Sequence, residues 1–331
     1  MLKYDMVYHL YKNILFIIMK SSILVGGQAV IEGVMMRVPG AYATAVRKPD
    51  GTIVTNYHAF NSMIEKYKIL SLPILRGITH LYESMKIGYG TLQWSAEASE
   101  TEEATMNKYL DSLLSFLSFI FAIGLFFALP IISADFIQKN FNLNNDSFVF
   151  NLISGITRII LFLIYLISIS FLEDIKRLFQ FHGAEHKTVY NFESGKSINV
   201  QNAQNFSKEH PRCGTSFVFI VMLVSILSFT IIDSMLIFFN INLTVFNRII
   251  YHIPCIPIVA GFSYEILKLI AKYQHLSLFK SLAFPGLLLQ KITTKNPDDT
   301  QLEVAITALK VAFGNKLSDY EGKEFNADAI G

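Results

Sequence analysis

Four stretches of the chain are apolar on every face rather than on one. Ser112 to Ala134 holds no charged residue, and LLSFLSFIFAIGLFFALPII (113–132) is long enough to cross a bilayer core. Ser147 to Leu172 carries Arg158 as its single charge, and Cys213 to Asn247 carries Asp233 as its single charge. A fourth stretch, about 246–270, is interrupted by Arg248, Pro254, Pro257 and Glu265. A helix of a soluble protein ordinarily keeps one polar face. Four segments without one predict four transmembrane helices.

The pattern outside the spans is different. Residues 20–60 read as strands, with AYATAV and TIVTNY joined as a hairpin through Pro49-Asp50-Gly51. Residues 61–110 read as helical, broken by Pro73, Gly77, Gly88 and Gly90. LSLFKSLAFPGLLLQKIT, after the fourth span, is too short to cross and is expected to lie on the membrane surface. NPDDTQLEVAITALKVAF predicts a terminal helix, with Asp298 and Asp299 at its N-terminus. The expected organisation is an extension at 1–19, with Met19 as the alternative start, and a β-containing N-terminal part at 20–110. A four-span membrane domain follows at 111–272, with a loop at 173–212, and then a tail at 273–331. The fold class is mostly α, polytopic, with a small β-containing part.

Composition sharpens this. Of 331 residues, 52% are hydrophobic and 16% charged, against roughly 25% charged in soluble domains. A disordered chain is excluded. Two cysteines exclude a disulfide scaffold, and they fall on opposite sides of the predicted topology, so no bridge between them is expected. A net charge of +2 implies no nucleic-acid partner. Lys and Arg number eleven before the first span, six in 173–212 and eight from Lys268 onward, while the other two loops are nearly bare. The positive-inside rule then puts both termini and the middle loop in the cytoplasm, in a multi-pass protein of the cell (inner) membrane. The lipid bilayer is the implied partner. Oligomeric state is not encoded in these patterns.

The candidate chemistry lies in FLEDIKRLFQFHGAEHKTVYNFESG. His182, Glu185 and His186 spell H-x-x-E-H. On a helix, residues four apart share a face, so two imidazoles can bind one ion. This order matches an arrangement in which both His are ligands and the Glu is general base. Gly183 within the motif weakens a helix by about 1 kcal/mol. KEHPRCGTSF brings His210 and Cys213 back to the same membrane face, and zinc takes such N and S ligands. Glu265 at the end of the fourth span is a further candidate ligand. The second H-x-x-C, His252 with Cys255, should sit toward the outer side, as span packing. Asp233 and Arg158 are expected either to pair, to line a polar cavity, or to face headgroups. Glu32 and Arg37 would approach the His cluster as substrate-positioning groups if the N-terminal strands dock on the middle loop, with a plain structural ion pair as the simpler alternative.

VGGQAVIEGVMMRVP, AVRKPDG, LPILRGI, FHGAEHKT, HPRCGTSF and NPDDTQLEVAITAL together resemble the YqhQ-like family of bacterial membrane proteins. The resemblance runs from about Ser21 to about Phe313. It implies a multi-span protein of the bacterial cell membrane, and that family carries the label of a predicted metal-dependent enzyme.

Two readings stand at this point. One is a membrane-embedded metal-dependent hydrolase, with a divalent metal such as zinc on His182 and His186. Glu265 or the His210/Cys213 pair would complete the shell, Glu185 would activate water, and the substrate would be a membrane peptide or lipid. The other is a non-catalytic scaffold or transporter-like protein in which the same cluster holds a structural metal or is simply polar.

Overall fold

The computed structural model describes residues 23, 25–99, 108–142, 146–210, 213–273 and 276–325. The proposed extension at 1–19 lies outside them. Four antiparallel strands form one sheet in sequence order: β1 (Gly26–Val30), β2 (Gly33–Val38), β3 (Ala41–Arg47) and β4 (Ile53–Ala59). The expected hairpin is β3–β4, in register from Ala41 opposite Ala59 to Arg47 opposite Ile53. Gly51 takes the left-handed φ (+87°) at its turn, a conformation that favours glycine.

Helices follow. A short α1 (Met63–Lys66) precedes α2 (Leu75–Ser99). α3 (Lys108–Ile123) runs through a π-helical turn at Gly124–Ala128 into α4 (Leu129–Asn140). Then come α5 (Ser147–Ile169), α6 (Glu173–Glu193), α7 (Val200–Gln204) and α8 (Gly214–Phe238). α9 (Val245–Lys272), α10 (Ser277–Thr293) and α11 (Asp299–Phe313) follow, with a 3-10 turn at Gly314–Asp319. Among the described residues, four segments are long and apolar enough to cross a membrane: Ser112–Asn140, Ser147–Ile169, Gly214–Phe238 and Val245–Ile270. Only 17–39% of each is buried inside the protein. Phe119, Phe121, Ile164, Leu227, Ile231 and Ile258 point outward. So much exposed apolar surface fits lipid rather than water.

The span interior is built from Phe127, Ile131, Phe150, Val224, Phe229 and Val259. The sheet has its own core. Alternation along β2 sends Val34, Met36 and Val38 to one face and Met35 to the other. The first face packs on α6 (Phe181, Val189, Phe192) and α11 (Leu302, Leu309, Phe313), and the second packs on α2 through Ile87 and Trp94. The terminal helix thus covers one face of the sheet and shares its core. Its start is as expected: Asp298 caps it and Gln301 returns the bond, a reciprocal capping box. Arg47 of β3 reaches Glu303 of α11 at 2.6 Å.

The stretch containing the H-x-x-E-H motif does not continue the second span. The chain turns at Ser170–Leu172 and restarts as α6, with Glu173 and Asp174 in its first turn. This bend frees α6 to lie under the sheet.

Candidate metal centre

α6 presents His182 and His186 one turn apart on one face, with ring centroids 4.5 Å apart. Each ring is held from behind. The His182 Nδ1 lies 2.9 Å from the Thr293 carbonyl oxygen, and the His186 Nδ1 meets the Lys208 carbonyl oxygen. A carbonyl can only accept, so both Nδ1 atoms carry the proton and both Nε2 lone pairs face away from these carbonyls. Cys213, at the N-cap of α8, puts its Sγ 3.2 Å from His182 Nε2. One donor atom each from His182, His186 and Cys213 lie within 4.8 Å of one another. Burial holds the His186 imidazole below its ordinary pKa, against the pull of Cys213, so it is neutral and able to ligate.

Gly183 is explained by packing. A Cβ there would sit 2.1 Å from the Lys295 carbonyl oxygen. Only glycine lets α6 approach the chain just beyond α10, whose last residue, Thr293, supplies the carbonyl behind His182. Gly183→Ala should therefore loosen His182 and weaken metal retention by about 10–100-fold, as lost supporting bonds do. A metal titration of the purified variant checks this; unchanged affinity would rule out the proposed support.

A cavity of about 180 Å³ opens beside the donors, lined also by Glu185, His210, Gly26 and Gly27. The Glu185 carboxylate lies 3.5 Å from His186 Nε2, the nitrogen facing the donor cluster. β1 roofs it. A Cβ on Gly27 would meet the Met35 carbonyl oxygen at 2.2 Å and the Glu185 side chain at 3.0 Å, so the strand crosses here without a side chain.

The other candidates are placed differently. His210 lines the cavity, but its ring is 5.7 Å from that of His186 and its Nε2 is 3.4 Å from Glu193. Gln290 fixes its backbone, accepting from His210 N–H at 2.7 Å and donating to its carbonyl at 2.9 Å. Burial pushes the His210 imidazole down to about 4, against the pull of Glu185. Glu265 is not brought to the cluster. α2 packs on the fourth span where Gly77 meets Gly261, and this sets Arg76 against Glu265 in a two-pronged ion pair, joined by the Ile74 amide. Glu32 pairs with Arg177 of α6, and Arg37 lies 4.0 Å from Glu83 with its guanidinium over Phe60. Both tie the sheet to helices rather than entering the cavity. Glu193 and Gln290 were not singled out from sequence. Glu193 was legible in principle, seven residues and two turns beyond His186. Gln290 carried no local signal.

A protein family described as "Protein of unknown function (DUF1385)" matches residues 72–315. The chain belongs to this family. It is also 35% identical over 301 residues to the uncharacterized protein YqhQ of Bacillus subtilis (strain 168), covering 85% of this chain and 89% of that one. No solved structure matches. The DUF1385 match spans all four apolar helices and every residue of the donor cluster. The roofing strand β1 lies before the matched residues.

Proposed function

We propose that the protein is a membrane-embedded, metal-dependent hydrolase acting at the cytoplasmic surface of the cell membrane, on a peptide or lipid substrate. The observation that carries this reading is the convergence of His182, His186 and Cys213 beside the Glu185 carboxylate, in a cavity of about 180 Å³. Two imidazoles and a thiol are a donor set that zinc accepts. Three protein donors with an adjacent cavity match the open shell of catalytic sites rather than the closed shell of structural ones. A divalent ion held there supplies Lewis acidity. The chain's own groups do the rest. Thr293 and Lys208 fix the imidazoles, Glu185 takes a proton from an attacking water, and the sheet restricts solvent.

One observation favours the alternative of a structural site in a non-catalytic membrane protein. His210 lines the same cavity and could close the shell as a fourth donor. Metal analysis of detergent-purified protein, followed by cobalt substitution, separates the two. A thiolate-to-cobalt absorption with an exchangeable water position supports the enzyme. A closed four-ligand spectrum supports the scaffold, and absence of any stoichiometric metal ends both metal readings.

The topology is tested apart from the metal. The Lys/Arg asymmetry motivates a cytoplasmic placement of the loop before Cys213. Single cysteines placed at Glu209 should resist impermeant thiol reagents in intact cells, and those at Asn242 should react. The reverse pattern would overturn the orientation.

A further inference from the structure

Arg158 is residue twelve of the 23-residue helix α5, close to its middle. A guanidinium at that depth is costly unless something compensates it. Its Nε donates to the Phe126 carbonyl at 3.0 Å and its Nη1 to Ser225 Oγ at 3.0 Å. Phe126 lies in the π-helical turn Gly124–Ala128, and such turns release backbone acceptors from the regular ladder. The rings of Phe127 and Phe229 stand 5.6 and 5.7 Å from the guanidinium carbon. All these partners are neutral. Among the described residues no carboxylate pairs with the half-buried Arg158, whereas Arg248, the buried span arginine, lies 3.2 Å from Asp233.

Of the alternatives open for Arg158 and Asp233, they do not pair with each other, and among the described residues the positive charge of Arg158 is left without a counter-charge. It borders a cavity of about 350 Å³ to which all four spans contribute, through residues such as Ile123, Met222, Phe229 and Ile256. That volume lies in the range of small-molecule sites. Two of the five guanidinium N–H groups are engaged, which leaves three for a ligand.

We propose that this cavity binds a single-chain amphiphile with a carboxylate head, a free fatty acid, with the head on Arg158 and the chain against the span walls. Charge selects the head: one guanidinium matches one carboxylate, in the planar two-bond geometry arginine favours. A phosphomonoester brings about −1.5 to −2, more than one cation neutralises. The volume of about 350 Å³ suits one alkyl chain rather than two. The site is distinct from the donor cluster, since Ser225 lies twelve residues beyond Cys213, about 18 Å along a helix. The inference does not rest on the hydrolase reading.

The test uses the full-length protein in phosphatidylcholine vesicles with a photoreactive C16 fatty acid. Labelling is expected on peptides containing 122–127 or 221–229, displaced by palmitate and at least tenfold less by hexadecanol. Arg158→Met should cut labelling by at least about tenfold, as expected for a charge-assisted bond, and Arg158→Lys should retain much of it. Ile256→Trp fills the cavity while leaving Arg158 in place, and should abolish labelling in a protein that still runs as a single species by size exclusion. Equal competition by the alcohol, or full labelling of a monodisperse Ile256→Trp protein, would overturn the proposal. Displacement by a single-chain alkyl phosphate but not by palmitate would also overturn it, in favour of a phosphate-headed ligand.

Discussion

His182→Ala and Cys213→Ser should each strip the protein of stoichiometric metal, while Glu185→Gln should keep the metal and lose hydrolytic turnover. The three donors lie within 4.8 Å of one another, and removing any one leaves two, which hold zinc poorly. Glu185 is outside that trio. Its carboxylate faces the cavity beside His186 Nε2, where it can accept a proton but is not needed to hold the ion. Loss of the base should cost about 10²–10⁴-fold in rate. Elemental analysis and turnover on the same preparations read both quantities. Release of metal by Glu185→Gln would make Glu185 a ligand and reverse its role. Retention of metal by Cys213→Ser would pass the third position to His210, the other side chain of this chemistry lining the cavity. Glu265→Gln should leave metal content unchanged, because its carboxylate is committed to Arg76.

Asp233→Ala should be the most destabilising single change in the membrane spans. Asp233 is fully buried and serves three neighbours: Asn151 donates to it at 2.7 Å, His252 Nε2 lies at 2.9 Å and Arg248 Nε at 3.2 Å. The Arg248 contact is one of charge rather than an aligned hydrogen bond, and its guanidinium also lies over the Phe150 ring. Removing the carboxylate takes from the Arg248 guanidinium its nearest counter-charge and from the buried His252 imidazole its hydrogen-bond partner. Breaking such a pair typically costs about 3–5 kcal/mol. A detergent-solubilised Asp233→Ala protein should unfold at clearly lower temperature. The Asp233→Ala, Arg248→Met double variant should recover part of the loss, since no charge is then stranded. Equal destabilisation of the single and double variants would show that the charge contact contributes little. His252 is therefore more than span packing: it is one of the carboxylate's partners.

The two networks show where sequence reasoning reaches its limit. H-x-x-E-H announces two ligands and a base because helical spacing is local: four residues place two rings on one face whatever the rest of the chain does. Cys213 was visible as a candidate, but so were His210 and Glu265, and spacing along the chain does not rank them. Their ranking depends on the rotation of α8 and α9 about their own axes and on the close approach of α2 at Gly77 and Gly261. Glu265 arrived near the expected end of its span and was captured by Arg76, a residue 189 positions earlier. In the same way Glu32 met Arg177, 145 positions away.

The sequence by itself determined the elements with short-range causes. These are the four apolar helices, the β3–β4 hairpin at its Pro-Asp-Gly turn, the Asp298 cap and the His182–His186 face. Each follows from the length of an apolar run, from helical spacing or from turn chemistry within a single segment. Only the tertiary structure decided the layering of the sheet between α2 on one face and α6 with α11 on the other. It alone brought Cys213 rather than Glu265 to the two imidazoles, used Gly183 to bring a carbonyl behind His182, and set Arg158 beside a cavity and Asp233 beside Arg248. Those outcomes depend on which faces of distant helices meet, and that is fixed by packing summed over the whole chain rather than by any local pattern.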